Sequence, residues 1–170
     1  MERKRAAVAV SDDKAKAGPD GSPEVVVRDM YMADLDAVMG IEAHSFPTPW
    51  SRNAFQTELL ENTFATYLVV EFHGQVVAYG GMWVILDEAH VTNIAVHPDF
   101  RGHHLGETIM TGLMARAKAL GVVRMTLEVR RGNIVAQNLY NKLGFVQLGV
   151  RRGYYTDTHE DAFIMWKDPM

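Results

Sequence analysis

From Glu24 onward the apolar positions switch repeatedly between a strand-like and a helix-like rhythm, and the switching predicts the elements. Glu24–Arg28 is a short β-branched run that reads as a first strand, and Asp34–His44 carries Leu35, Val38 and Ile41 at helical spacing. Ser51, after Pro49-Trp50, can cap a second helix with Phe55, Leu59 and Leu60 on its inner face. Thr66–Phe72 and Gln75–Leu86 are β-rich runs separated by His73-Gly74, which suits the tight turn of a hairpin, and Glu88–Val96 adds another strand. From Leu105 the apolar residues Leu105, Ile109, Leu113, Ala117 and Leu120 recur every three or four positions, and Gly121 closes that helix. Val122–Val129 is the next strand. Asn133 then caps a helix whose inner face is Ala136, Leu139, Tyr140 and Leu143, ended by Gly144. Val146–Arg151 and Asp161–Trp166 pair as a closing antiparallel hairpin around the loop Gly153–Glu160. This order predicts one domain of the α/β (α+β) class over residues 24–170: a mixed, mostly antiparallel sheet with helices on both faces.

Met1–Pro23 breaks the rhythm. Its Lys, Arg, Asp, Ala, Gly and Pro residues offer no periodic apolar face, so residues 1–23 are expected to be a disordered tail. Ala6–Val10 is too short for the apolar core of a signal peptide, and the run Val76–Leu86 is far short of the roughly 20 residues of a spanning helix. A cytoplasmic location is therefore the default expectation. At 170 residues the chain can bury a real core, and with no cysteine it has no disulfide framework, thiolate metal site or cysteine nucleophile. The net charge of −4 argues against nucleic acid as a partner and suits a basic peptide.

Two segments carry candidate chemistry. Asn93–Glu107 reads as a strand running through Arg101-Gly102-His103-His104-Leu105-Gly106 into a helix, where unpaired N–H groups at the positive end of the dipole can hold a pyrophosphate. A turn that merely needs glycine is the plainer alternative. Adjacent His103 and His104 make a poor metal site, since neighbouring histidines rarely converge on one ion, and no metal is expected. The second segment is Thr126-Leu127-Glu128-Val129-Arg130-Arg131-Gly132-Asn133, followed by Ala136, Leu139-Tyr140 and Lys142-Leu143-Gly144-Phe145.

Together these segments resemble the GNAT acyl-CoA N-acetyltransferases. Within that superfamily Ile41-Glu42, Phe46, Pro49-Trp50, Asp87-Glu88-Ala89-His90, Arg151, Tyr154-Tyr155 and Glu160-Asp161-Ala162 resemble the RimI-type ribosomal-protein-alanine N-acetyltransferases, from about Glu24 to the C-terminus. The resemblance implies that the strands ending at Val96 and holding Glu128 run parallel and splay apart to admit acetyl-CoA. It further implies that backbone at Ile94, Ala95 and Val96 pairs with the pantetheine arm and that an N–H there holds the thioester carbonyl. The pyrophosphate would lie over Gly102, His103, His104, Leu105, Gly106 and Glu107, with Arg101 and Gly106 matching the family pattern. His104 replaces a usual glycine, which puts in doubt that this position must take a left-handed backbone, and whether His104 strains or supports the turn is left open.

By the same resemblance Glu128 is the general base, Tyr140 the acid that protonates the departing thiolate, and Asn133 a cofactor contact. Read from residue type alone, Glu128 is equally a carboxylate salt-bridged to a cation such as Arg130, Tyr140 a core aromatic, and Asn133 a helix cap. Glu42, Trp50, Asp87, Tyr154 and Tyr155 are placed around the acceptor. The implied activity is direct acetylation of the N-terminal alanine of a small-subunit ribosomal protein. Acetylation of another amine (other protein N-termini, a polyamine or a drug) is the rival, and a non-catalytic acyl-CoA-binding module a second one. Oligomeric state is open.

Overall fold

The computed structural model describes residues 24–170. Strand β1 (Val25–Asp29) leads through a 3₁₀ turn (Met32–Asp34) to helices α1 (Leu35–Ser45) and α2 (Arg52–Leu60), then to strands β2 (Ala65–Phe72), β3 (Gln75–Ile85) and β4 (Glu88–Val96). A second 3₁₀ turn (Pro98–Phe100) precedes α3 (Leu105–Ala119), β5 (Arg124–Arg130), α4 (Ile134–Lys142), β6 (Val146–Tyr155) and β7 (Glu160–Lys167). The seven strands form one sheet in the order β1-β2-β3-β4-β5-β7-β6, antiparallel throughout except for β4 beside β5. The tail expected at residues 1–23 lies outside the described residues.

Both sheet faces are covered, which is why β2 reads as a continuous apolar run. Its alternate residues feed two cores: Leu68 and Val70 pack with α3 residues Ile109 and Leu113, while Tyr67 and Val69 pack with Leu35, Val38, Ile41 and Phe55 of α1 and α2. Each fully buried side chain of the type of Phe55, Leu113 or Met82 contributes roughly 1.5–3 kcal/mol. Ser51 caps α2 by accepting the Ala54 N–H at 3.2 Å. His73 and Gly74 both take positive φ, 52° and 77°, as a two-residue hairpin turn requires.

Helices α3 and α4 end alike. Gly121 N–H donates to Lys118 C=O and Val122 N–H to Ala117 C=O; Gly144 N–H donates to Asn141 C=O and Phe145 N–H to Tyr140 C=O. These are Schellman motifs, and they correct one expectation. Leu120 lies past the last helical turn and is 51% exposed, with Val122 taking the buried place beside the motif. Leu60 is likewise turned outward at 66% exposure, because it is the last residue of α2 and the chain leaves the core there. Strand β6 also runs on to Tyr155, so the expected loop Gly153–Glu160 shrinks to four residues.

One irregularity decides where the site lies. Gly81 pairs with Asn93 and Met82 with Val91, leaving Thr92 unopposed as a bulge in β4. The parallel pairing of β4 with β5 stops at the same place, Val91 opposite Leu127. Beyond it the two strands diverge.

Candidate active site

The divergence opens a cleft of about 640 Å³ between the end of β4, the start of α3 and the inner side of α4. Ile94, Ala95, Val96, Arg101, Gly102, His104, Leu105, Gly106, Glu107, Asn133 and Tyr140 all line it, so most of the expected cofactor residues converge. His103 does not, because its ring lies 5.6 Å from that of Phe72 and its Nδ1 is 3.1 Å from Phe100 C=O. His97 N–H donates to Val77 C=O. By the alternation of an antiparallel ladder, the polar backbone of Ala95 also faces β3 and that of Ile94 and Val96 faces the gap. Ala95 thus lines the cleft without offering it a free N–H.

At the cleft mouth the first helical bond of α3 runs from Thr108 N–H to His104 C=O at 3.0 Å. The N–H groups of Leu105, Gly106 and Glu107 therefore have no intrahelical partner and suit an anion at the positive end of a 15-residue helix. Glu107 would oppose that anion, but its carboxylate accepts from Lys142 Nζ at 2.7 Å. Arg101 donates from Nε to Val96 C=O at 3.2 Å and so lies across the mouth. His104 answers the question left open by the sequence: its φ of 58° and ψ of 17° are left-handed, and its side chain makes no capping bond. Glycine takes this left-handed conformation freely, whereas histidine adopts it under strain.

Asn133 serves as the α4 cap, its Oδ1 accepting the Ala136 N–H at 3.1 Å. Tyr140 is delivered to the cleft by the Schellman end of α4, where Phe145 folds back to a ring distance of 6.0 Å. Burial alone pushes the phenol up to about 12, so it holds its proton at neutral pH.

Glu128 is the first residue of β5 beyond the last β4–β5 pair, on the sheet face opposite Leu127. Its side chain is 7% exposed. The salt-bridge alternative has the wrong partner: Glu128 Oε2 shares a 2.5 Å hydrogen bond with His90 Nε2, and Arg151 Nη2 lies 3.5 Å from Oε1, while Arg130 points elsewhere. Burial raises the carboxyl's pKa, but the His90 bond and the charges of His90 and Arg151 outweigh it and hold the group below the usual carboxylate range. His90 was missed as a functional residue. Its presence in the Asp87-Glu88-Ala89-His90 segment was the available trace, and only the register opposite Thr126 of β5 brings it to Glu128.

The expected acceptor residues divide. Tyr154, 42% exposed, and Tyr155 stand edge to face at 5.1 Å, and the charge of Glu128 helps raise both phenols after burial does. Trp50 lies 5.5 Å from the Phe55 ring. Glu42 is not open to a ligand. It is 2% exposed, and its carboxylate accepts the Trp50 N–H at 2.8 Å and the Tyr79 hydroxyl, so it holds the loop that carries Trp50. Asp87 is not brought to the cleft either; at the far end of β4 it sits roughly 23 Å along the strand from Ile94. Among the described residues no three His, Asp or Glu side chains converge as a metal group would, and no helix is long and apolar enough to cross a membrane.

A profile of the acetyltransferase (GNAT) family matches residues 35–145. The chain is 46% identical over 143 residues, 84% of its length and 95% of the relative's, to a putative [ribosomal protein bS18]-alanine N-acetyltransferase of Bacillus subtilis. It is 36% identical over 141 residues, 82% and 94% of the two chains, to the [ribosomal protein bS18]-alanine N-acetyltransferase of Escherichia coli K12. The crystal structure of the ribosomal-protein-S18-alanine N-acetyltransferase from Escherichia coli superimposes with a TM-score of 0.79 at 33% identity, covering 86% of this chain and 94% of that one.

Proposed function

The chain belongs to the GNAT acetyltransferase family, and from that membership we propose that it is a cytoplasmic, acetyl-CoA-dependent Nα-acetyltransferase acting on the N-terminal alanine of ribosomal protein bS18. The residues present fit the cofactor. The free N–H groups at the start of α3 suit its diphosphate, and Phe46, Ala136 and Leu139 line an apolar path for its arm. Acetyl-CoA supplies an acetyl thioester carbon open to attack by an amine.

The α-amine sheds its first proton to solvent, and Glu128 takes the second, directly or through a water, as the nitrogen lone pair attacks the thioester carbon. The Val96 N–H, facing the gap, holds the oxygen on which negative charge develops; such a preorganised donor is worth roughly 3–4 kcal/mol. Tyr140 gives its proton to the departing thiolate as the new amide forms, so proton and electron counts balance without a covalent enzyme intermediate. One observation supports this reading most: Glu128 lies just beyond the point where β4 and β5 part to open the cleft, and Arg151, 3.5 Å from its carboxylate, also lies 5.5 Å from the centre of the Tyr154 ring.

The test is incubation with acetyl-CoA and a panel of N-terminal peptides, read by intact mass and fragmentation. Alanine-first peptides should be acetylated at the α-amine, with lysine side chains untouched, because an α-amine near ~8 loses its proton far more readily than a lysine near ~10.4. Acetyl on lysine, or polyamines and aminoglycosides outcompeting every peptide, refutes the N-terminal assignment.

A further inference from the structure

The β6–β7 ladder breaks at Tyr154 and Tyr155, the residues proposed to meet the acceptor. Arg151 pairs with Ala162 and Tyr155 with Glu160, so residues 152–154 bulge out opposite Asp161 alone. Gly153 turns with a φ of 58°, and its N–H donates to Asp161 Oδ1 at 2.9 Å. The regular ladder therefore does not place Tyr154, and the four-residue turn that follows Tyr155 has only one backbone bond of its own, Thr158 N–H to Tyr155 C=O at 3.3 Å. Something else must hold this segment beside Glu128.

We infer that Arg130 is that positioning residue: from the end of β5 its guanidinium clasps the β6–β7 turn and presets Tyr154 and Tyr155 for the acceptor. Arg130 and Glu128 lie two residues apart on one face of β5, yet their side chains go different ways. Arg130 Nη2 donates to both oxygens of Asp157, at 3.1 and 2.8 Å, and Nη1 donates to Thr158 Oγ1 at 2.8 Å and Glu160 Oε2 at 3.4 Å. Its guanidinium carbon lies 3.9 Å from the centre of the Tyr155 ring. Glu160 extends the clasp by accepting the Gly132 N–H at 2.6 Å, at the turn that leads into α4. The arginine hydrogen bond, with its charge, keeps the Asp157 carboxyl below its ordinary range.

Only a planar, delocalised cation with several donors can bond a carboxylate, a hydroxyl and a second carboxylate at its edge while stacking on a ring with its face. A lysine would supply the charge and one point of contact. Without any cation, Asp157 and Glu160 would face each other unneutralised and the turn would loosen. The inference rests on the reading that the acceptor enters beside Tyr154 and Tyr155, and its test separates the two.

Arg130→Met removes the donors while keeping a long stem, and Arg130→Lys restores only the charge. Both are compared with the native full chain by hydrogen–deuterium exchange, by calorimetric titration with acetyl-CoA, and by steady-state kinetics on the peptide that the native enzyme acetylates best. In Arg130→Met, exchange over residues 152–160 should rise at least about tenfold and KM for the peptide about tenfold, with kcat at saturation falling less than about threefold and acetyl-CoA affinity within about threefold. Arg130→Lys should recover less than half of the lost affinity on a logarithmic scale. Unchanged exchange at 152–160, or acetyl-CoA affinity falling in step with that for the peptide, overturns the clasp. If Arg130→Met fails to fold, Asp157→Asn cuts the other end of the clasp and is read the same way. If the native enzyme acetylates no peptide, the N-terminal reading fails, while the exchange and titration arms still decide the role of Arg130.

Discussion

Glu128 illustrates what one residue can owe to its neighbours. A buried carboxylate is costly unless it is paired, and here His90 and Arg151 share its two oxygens while leaving lone pairs for an incoming amine. Its depressed pKa means that it stays ionised down to acidic pH, so protonation of Glu128 does not set activity near neutrality. The rise of kcat/KM with pH should instead follow the acceptor's α-amine, with an apparent value near ~8, and should move when peptides of different α-amine pKa are compared. A limb that stays in the carboxylate range for every peptide contradicts this. Glu128→Gln keeps the shape and removes the basicity; turnover should fall roughly a hundredfold or more while calorimetry shows acetyl-CoA binding unchanged. Turnover equal to that of the native enzyme would leave the carboxylate with a structural role only.

At the scale of elements, the start of α3 shows a local rule broken at the turn proposed to hold the cofactor's diphosphate. The chain enters the helix there through a left-handed residue, and His104 supplies it at a strain of roughly 1 kcal/mol. Its imidazole is 83% exposed and only 4.0 Å from Glu107 at its nearest, so little is lost by removing it. His104→Gly should therefore raise the thermal midpoint by a few degrees, the relief of strain exceeding the extra freedom of the unfolded chain, and should change acetyl-CoA affinity by less than about tenfold. A lower midpoint in differential scanning calorimetry would show that the side chain contributes more than its geometry indicates. The ends of α3 and α4, by contrast, follow sequence rules directly, with Gly121 and Gly144 taking the φ values of 83° and 88° that the Schellman motif needs.

For the whole molecule, the net charge of −4 gives a background field that favours a basic acceptor. The KM for a basic N-terminal peptide should rise several-fold between about 50 and 500 mM salt, with kcat little changed, whereas a neutral peptide of equal length should show almost no dependence. Equal salt dependence for the two peptides, measured side by side, would remove electrostatic attraction from the account of specificity.

Periodicity and caps by themselves determined the order of helices and strands, the mixed sheet with helices on both faces, and the turn at Gly102–Glu107, because each depends on side chains within a few residues of one another. Likeness to a family added Glu128 and Tyr140. Only the tertiary structure decided that β4 and β5 part after Val91, since the bulge at Thr92 arises from register between strands; Gly81 was its one local trace, at a place where a Cβ would lie 2.2 Å from the Tyr67 ring. The partners of Glu128, the inward turn of Glu42 and the reach of Arg130 to Asp157 likewise join residues 38, 37 and 27 positions apart. No rhythm along the chain encodes such pairs, because packing, which brings distant charges to one place, is what selects them.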